Sequence, residues 1–162
     1  MKIDFKIREI YSNKDLNLLH NFLLYFPISY PNYNKWVNET CIPEINSGRK
    51  NAILAFHEDR LIGDIITQKH EELSNVLEIK NLRIDPRYNG RGLGYFLLKQ
   101  IEAENKDFGM IYGDIRQELQ GTIRFFELIR FKKIMTVSLY NNKLDTIVMK
   151  ELGKNKKLED FI

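Results

Sequence analysis

Hydrophobic and polar positions change period several times along the chain, and each change marks an element. From Lys2 to Ile10, Ile3, Phe5, Ile7 and Glu9 alternate with Asp4, Lys6 and Arg8, the period-two pattern of a half-buried strand. Ser12 with Asp15 three residues on is a helix-capping pair, and Leu16, Leu19, Leu23 and Phe26 follow at helical spacing until Pro27. That spacing predicts a helix ending near Phe26. Tyr25 to Trp36 is aromatic and holds two prolines, which predicts a loop, with a short second helix from Trp36 to Ile45. Asn51 to Phe56 and Leu61 to Lys69 are β-rich runs around His57, Glu58, Asp59 and Arg60, which predicts a hairpin with a four-residue loop. Leu77 to Ile84 reads as the next strand.

From Arg91 the period becomes helical, with Leu93, Phe96, Leu97 and Ile101 on one face and Arg91, Lys99, Gln100 and Glu104 away from it. Met110 to Ile115 then reads as a strand, Leu119 to Ile129 as a helix, and Phe131 to Tyr140 with Leu144 to Met149 as two strands joined at Asn141 and Asn142. Strands both before and between helices predict a single mixed α/β sheet. The length, 162 residues, suits one domain with a real core, here residues 1–151 followed by a polar tail, 152–162.

Apolar types make up 43% and charged types 29%, which removes support for disordered, collagenous and disulfide-scaffold readings. Lys plus Arg number 25 against 22 Asp plus Glu. The only basic cluster, Lys154, Lys156 and Lys157, reads as a solvated tail, so the charge pattern argues against nucleic-acid binding. Cys41 is the single cysteine. It excludes an internal disulfide and a multi-cysteine metal site, and it fits a reducing cytoplasm as a small buried apolar residue. His20, His57 and His70 are too far apart to suggest a helical ligand pair, so no metal is expected. The uncharged run Leu16 to Phe26 would span only about 16 Å as a helix against about 30 Å of hydrocarbon, so no membrane span is expected. The N-terminal residues lack the apolar run of a signal peptide.

The chemistry-bearing segment is Asn81 to Leu98, NLRIDPRYNGRGLGYFLL. A strand leads through Pro86 into a loop with Gly90, Gly92 and Gly94 and on into an amphipathic helix. Glycines let successive backbone N–H groups converge on one point, and the helix N-terminus adds a partial positive charge, so this layout suits a phosphate or pyrophosphate. A P-loop would need Lys and Ser or Thr after the last glycine, where Tyr95 and Phe96 stand. The dinucleotide fingerprint would need a third glycine at Tyr95 or Leu97.

The same residues resemble the acetyl-coenzyme A loop of the GCN5-related N-acetyltransferase (GNAT) family, R/Q-x-x-G-x-G/A after a strand ending in L-x-V-x-P. Here the strand end reads Leu82-Arg83-Ile84-Asp85-Pro86 and the loop Asn89-Gly90-Arg91-Gly92-Leu93-Gly94, with Asn89 in place of the usual Arg or Gln. A second stretch, Ile111 to Lys133, resembles the family's strand, helix, F-Y-x-x-x-G-F and strand. The likeness spans Asn51 to Met149. It implies a mostly antiparallel sheet with about four flanking helices and a splayed central strand pair that takes acetyl-CoA as co-substrate. It further implies cofactor contacts at Leu82, Ile84, Asn89, Gly90, Arg91, Gly92, Leu93, Gly94 and Tyr95, and at Phe125 and Phe126 of the second motif.

Transfer to an amine needs a proton acceptor, because an alkyl ammonium titrates near pH 10. Asp114 matches a base position in the ribosomal-protein alanine acetyltransferases of the family, and Glu78 matches one used in other branches. Pairing with Arg83, Arg116 or Lys80 on a strand face is the structural alternative for either. The proton-donating Tyr of the motif is Phe126 here, with Leu119 and Arg130 at two further altered positions. Tyr112, Tyr95 and Tyr140 are the phenols that could substitute. The acceptor, a small-molecule or peptide amine, is expected along the first two helices and the last hairpin, with Tyr30, Tyr33 and Trp36 as groove candidates or, equally, core residues. Homodimers are common in the family, and nothing in this chain establishes one. Three function classes stay open: an acetyl-CoA-dependent N-acetyltransferase, a non-catalytic acyl-CoA sensor or interaction module, and, least supported by the charge pattern, a small basic nucleic-acid-binding domain.

Overall fold

Strand β1 (Phe5–Glu9) leads into helix α1 (Asn13–Tyr25). These belong to a computed structural model that describes residues 4–28, 30–140 and 143–152. Ser12 caps α1 as its spacing predicts, its Oγ accepting from the Asp15 N–H at 3.3 Å. The Asp15 carboxylate reaches back to the Tyr11 N–H at 2.9 Å and takes a bidentate contact from Arg8 at 2.7 and 3.0 Å, so the cap also ties α1 to β1.

Helical structure resumes earlier than predicted. Helix α2 (Tyr33–Trp36) passes through a π-helical turn, Val37–Cys41, into α3 (Ile42–Asn46). Pro43 explains the turn, since it has no N–H for the carbonyl four residues back and its ring crowds that carbonyl; Ile42 N–H accordingly bonds to Val37 O.

Strands β2 (Asn51–His57) and β3 (Arg60–Lys69) form the predicted hairpin. Its loop is two residues, not four, because His57 pairs with Arg60 and Glu58 takes a left-handed φ of 55°. Strand β4 (Val76–Ile84), a 3-10 turn (Pro86–Tyr88), helix α4 (Leu93–Glu104), β5 (Met110–Arg116), α5 (Gln120–Leu128), β6 (Lys132–Tyr140) and β7 (Lys143–Glu151) follow. Among the described residues seven strands lie in the order β1-β2-β3-β4-β5-β7-β6. β1 with β2, β2 with β3, β5 with β7 and β6 with β7 pair antiparallel, and β4 with β5 pairs parallel. The mixed, mostly antiparallel α/β sheet expected from the sequence is therefore present.

The described residues cluster into two compact units. In the first, which runs to Gln68 and includes Lys80–Ile101, Leu19, Phe22 and Leu23 of α1 pack with Val37, Cys41, and Ala52, Leu54 and Phe56 of β2. Leu19 is fully buried, so Leu19→Ala removes about 2–5 kcal/mol. In the second, Lys69–Ile79 and the chain from Glu102, Val76, Met110, Ile147 and Met149 form the core. The Tyr140 side chain, Asn141, Asn142 and the tail from 153, with Lys154, Lys156 and Lys157, lie outside the described residues.

Candidate functional site

The first unit carries the glycine loop. Asp85 ends β4: its N–H donates to Ile62 O at 2.8 Å, and its buried carboxylate accepts from the Arg87 N–H at 3.0 Å and from Nη2 of Arg87 at 2.7 Å. The Arg87 guanidinium holds that carboxyl below the usual carboxylate range. Pro86 supplies the fixed φ that starts the 3-10 turn. Tyr88 closes the turn, its hydroxyl 2.9 Å from His57 Nδ1 and its ring beneath the Arg91 guanidinium, 5.2 Å from the ring centre.

Gly90 and Gly92 both hold φ at 77°, a conformation that a side chain resists. A Cβ on Gly90 would meet nothing within 4 Å, and one on Gly92 would meet only the Phe96 ring at 3.5 Å. Backbone conformation, not crowding by protein, is therefore what these two glycines supply. Gly94 is the second residue of α4. The helix starts at Leu93, two residues later than its periodicity predicts, and buries Leu93, Leu97, Leu98 and Ile101. Phe96 corrects the predicted face: it is 53% exposed because its ring lies over Gly92 instead. Tyr95 is also exposed, with Lys99 Nζ 5.5 Å from its ring centre.

Leu82 and Ile84 lie near the end of β4, half-buried. The parallel ladder of β4 with β5 pairs Val76 with Met110, Leu77 with Ile111 and Glu78 with Tyr112, three of the nine positions of β4.

In the second unit, Glu78 is buried and shares a register position with Tyr112. Asp114 stands two residues beyond Tyr112, half-buried and opposite Ile147 of β7. Side chains two apart on a strand share a face, so β5 presents Tyr112 and Asp114 together. Arg116 faces Asp145 across the β5–β7 ladder, the pair buried with Nη1 and Oδ1 3.7 Å apart. Phe126 is 4% exposed and meets Phe131 edge-on at 4.9 Å and Phe125 at 5.4 Å. Helix α5 ends at Leu128 with Ile129 as its C-cap, and Arg130, the next residue, has φ 77°. Arg130 N–H bonds to Glu127 O and Phe131 N–H to Phe126 O, the paired bonds of a Schellman cap, so an arginine adopts the left-handed conformation that favours glycine. A polar recess of about 280 Å³ opens beside the last hairpin, lined by Gln117, Gln120, Lys133, Thr136 and Thr146 among others.

The family model described as the acetyltransferase (GNAT) family matches residues 16–130. The chain belongs to the GNAT acetyltransferase family. No curated protein matches it significantly. Among solved structures it is similar to an aminoglycoside 6'-N-acetyltransferase complexed with coenzyme A, at TM-score 0.75 and 18% identity over 94% of this chain and 99% of that one. It is also similar to the ribosomal-protein-S18-alanine N-acetyltransferase of Escherichia coli, at TM-score 0.70 and 17% identity over 96% and 100%. A third is the NAA60 of Arabidopsis thaliana with a bisubstrate analogue, at 0.72 and 18% over 91% and 98%. At these identities the likeness is one of fold.

Within this GNAT chain, burial decides between the two alternatives open for Tyr33 and agrees with the one expected for Cys41. Tyr33, a groove candidate, is 7% exposed and its hydroxyl donates to Leu23 O at 3.0 Å, so it closes the core under α1. Cys41 is fully buried, as expected, and burial pushes its thiol up to about 12. One group escaped the sequence reading altogether: Asp64 of β3 has no exposed surface, and burial pushes its carboxyl up to about 7, against a hydrogen bond from Asn81 and the Arg83 charge. The available signal was a lone carboxylate inside the apolar run Leu61-Ile62-Gly63-Asp64-Ile65-Ile66.

Proposed function

We propose that this chain is an acetyl-CoA-dependent N-acetyltransferase that moves the acetyl group to a primary amine by direct attack in a ternary complex. The observation that carries the reading is the loop from Asn89 to Gly94, with Gly90 and Gly92 at φ 77° immediately ahead of the twelve-residue helix α4. Left-handed glycines turn backbone N–H groups inward, and the helix start adds partial positive charge, so the loop suits a pyrophosphate. Asn89, Gly90, Arg91, Gly92, Leu93, Gly94 and Tyr95 are assigned to that group. Leu82 and Ile84 are assigned to the pantetheine arm and thioester through their backbone, and Phe125 and Phe126 to the cofactor side of the second motif.

The reaction asks little else of the protein. Asp114 is the first candidate to accept the proton of the incoming ammonium and Glu78 the second. The amine lone pair then adds to the thioester carbonyl, the C–S bond breaks to release coenzyme A thiolate, and the proton remaining on nitrogen passes to that thiolate, directly or through water, leaving a neutral amide and the thiol. That thiol has a pKa near that of free cysteine, so departure does not require the tyrosine replaced by Phe126. Tyr112, which pairs in register with Glu78, is the nearest phenol to the proposed bases along the sheet. The polar recess beside the last hairpin suits a hydrophilic acceptor. A second reading, a sensor that binds acyl-CoA without turnover, is supported by the packing of Phe126 against Phe125 and Phe131; turnover with any amine would eliminate it.

The test is the thermal midpoint with and without acetyl-CoA at about 100 times its dissociation constant, for the parent and for Gly92→Val. Binding at that excess adds about 2.7 kcal/mol, a rise of about 5–11 °C for a chain of this size. The parent is expected to shift and the variant not to. No shift in the parent would reduce the glycine loop to a turn.

A further inference from the structure

The end of β4 is gripped by β3 at three successive points, all inside the first unit. Asn81 donates from Nδ2 to Asp64 Oδ2 at 2.8 Å. The Cδ1 methyl of Ile84 lies where a Cβ on Gly63 would come within 2.8 Å, with Arg83 O at 3.2 Å. The Asp85 N–H donates to Ile62 O at 2.8 Å. Three consecutive residues, Ile62, Gly63 and Asp64, thus bear on Asn81–Asp85, the stretch that contains Leu82 and Ile84.

Two of those grips are inexpensive, whereas the third buries a carboxylate. Asp64 has no exposed surface. Its Oδ1, Gln68 Oε1 and Arg83 Nε have no hydrogen-bond partner among the described residues. Removing such a group from water with one oxygen unsatisfied costs free energy that an apolar residue of the same size would not. A strand needs no carboxylate to stay in a sheet, so the placement points to control of position.

We propose that Asp64 is a positioning residue for the cofactor end of β4: through Asn81 it fixes the backbone at Leu82–Ile84 for acyl-CoA, and its charge state sets how firmly. This rests on the acyl-CoA reading above. A hydrogen bond to an ionised carboxylate is roughly twice as strong as one to a neutral group, so ionised Asp64 holds Asn81 more tightly than neutral Asp64 does. The crossover falls near neutrality because burial raises the carboxyl to about 7. The groups that act on it are Asn81 and Arg83 of β4; Tyr33 of α2 and Cys41 of the π turn feel its charge in return. Burial pushes that thiol up to about 12 and raises the phenol as well, so neither Tyr33 nor Cys41 titrates with Asp64 near neutral pH.

The experiment follows the Asn81 side-chain amide by nuclear magnetic resonance in the full chain. It also follows affinity for coenzyme A by calorimetric titration, from about pH 6 to about pH 8.5, in the parent and in Asp64→Asn. Asparagine keeps the shape and an acceptor but not the charge, and coenzyme A's own phosphate titration is common to both proteins. The Asn81 amide should move with a midpoint near 7 in the parent and stay flat in the variant. Affinity of the parent relative to Asp64→Asn should rise about tenfold across the range, the scale of one charge-assisted hydrogen bond. A constant affinity ratio, with or without a lowered melting point of the variant, would make Asp64 merely structural and overturn the proposal. An Asn81 amide that does not titrate in the parent overturns it without any substitution. A parent that binds no coenzyme A at any pH overturns the cofactor reading and this one with it.

Discussion

His57 Nδ1 and Tyr88 Oη lie 2.9 Å apart, which ties the last residue of β2 to the turn that opens the glycine loop. Phe5 of β1 stands edge-on to both rings, at 5.8 Å from His57 and 6.2 Å from Tyr88, so the first strands of the sheet set where the loop begins. Tyr88→Phe keeps the ring contacts and removes only the hydroxyl. It should lower stability by about 1 kcal/mol and weaken coenzyme A binding a few-fold in a calorimetric titration. Unchanged affinity would mean that the Asp85 cap alone positions the loop.

Arg130 occupies a glycine conformation at the end of α5. Arg130→Gly should therefore raise stability by about 1 kcal/mol, read as a gain of about 2–4 °C in the thermal midpoint. Arg130→Ala should give no such gain, because alanine meets the same backbone strain. Equal gains from both would trace the effect to the arginine side chain.

Asp15 and Asp85 set the acid limit of stability. Their carboxyls are held below the usual range by hydrogen bonds from Arg8 and Arg87 respectively. A group with a depressed folded pKa contributes stability that is present above its unfolded value, near 4, and lost as pH falls through the folded one. Asp15→Asn should cost about 1–2 kcal/mol at neutral pH, discounted because Arg8 is partly exposed, and almost nothing near pH 2. Denaturant titrations of parent and variant at the two pH values check it; an equal cost at both would assign the loss to packing.

Asp64 acts with the opposite sign. Its folded carboxyl titrates at about 7, above the unfolded value near 4, so the folded chain binds the extra proton between those limits. Its contribution to stability is complete below about pH 4 and declines as pH rises through 7. Asp64→Asn should therefore melt close to the parent at about pH 5 and several degrees above it at about pH 8. A gap that does not change with pH would place the Asp64 pKa outside that window.

Much of the fold was legible because the chain's periodicities are local. The Ser12 and Asp15 spacing sets the α1 cap, and Pro86 with Gly90 and Gly92 marks the strand-to-helix turn; each needs only its own neighbours. The misplacements have local causes of longer reach. Pro43, seven residues beyond the aromatic stretch that ends at Trp36, opens the π turn Val37–Cys41, and Glu58 adopts a left-handed φ that shortens the hairpin loop. Phe96 leaves its helical face because Gly92, four residues back, offers its ring a seat.

The amino-acid order by itself determined the sequence of strands and helices, the glycine loop and the family, since these depend on residue type at fixed spacing. Tertiary structure alone decided which polar groups are buried and against what. Asp64 and Asn81 are 17 residues apart and meet only because β3 and β4 are neighbours in the sheet. Tyr33 is core rather than groove because the Leu23 carbonyl, ten residues away, accepts its hydroxyl. Burial and hydrogen bonding set charge state, and both are properties of what the fold brings alongside a residue, which no spacing along one strand records.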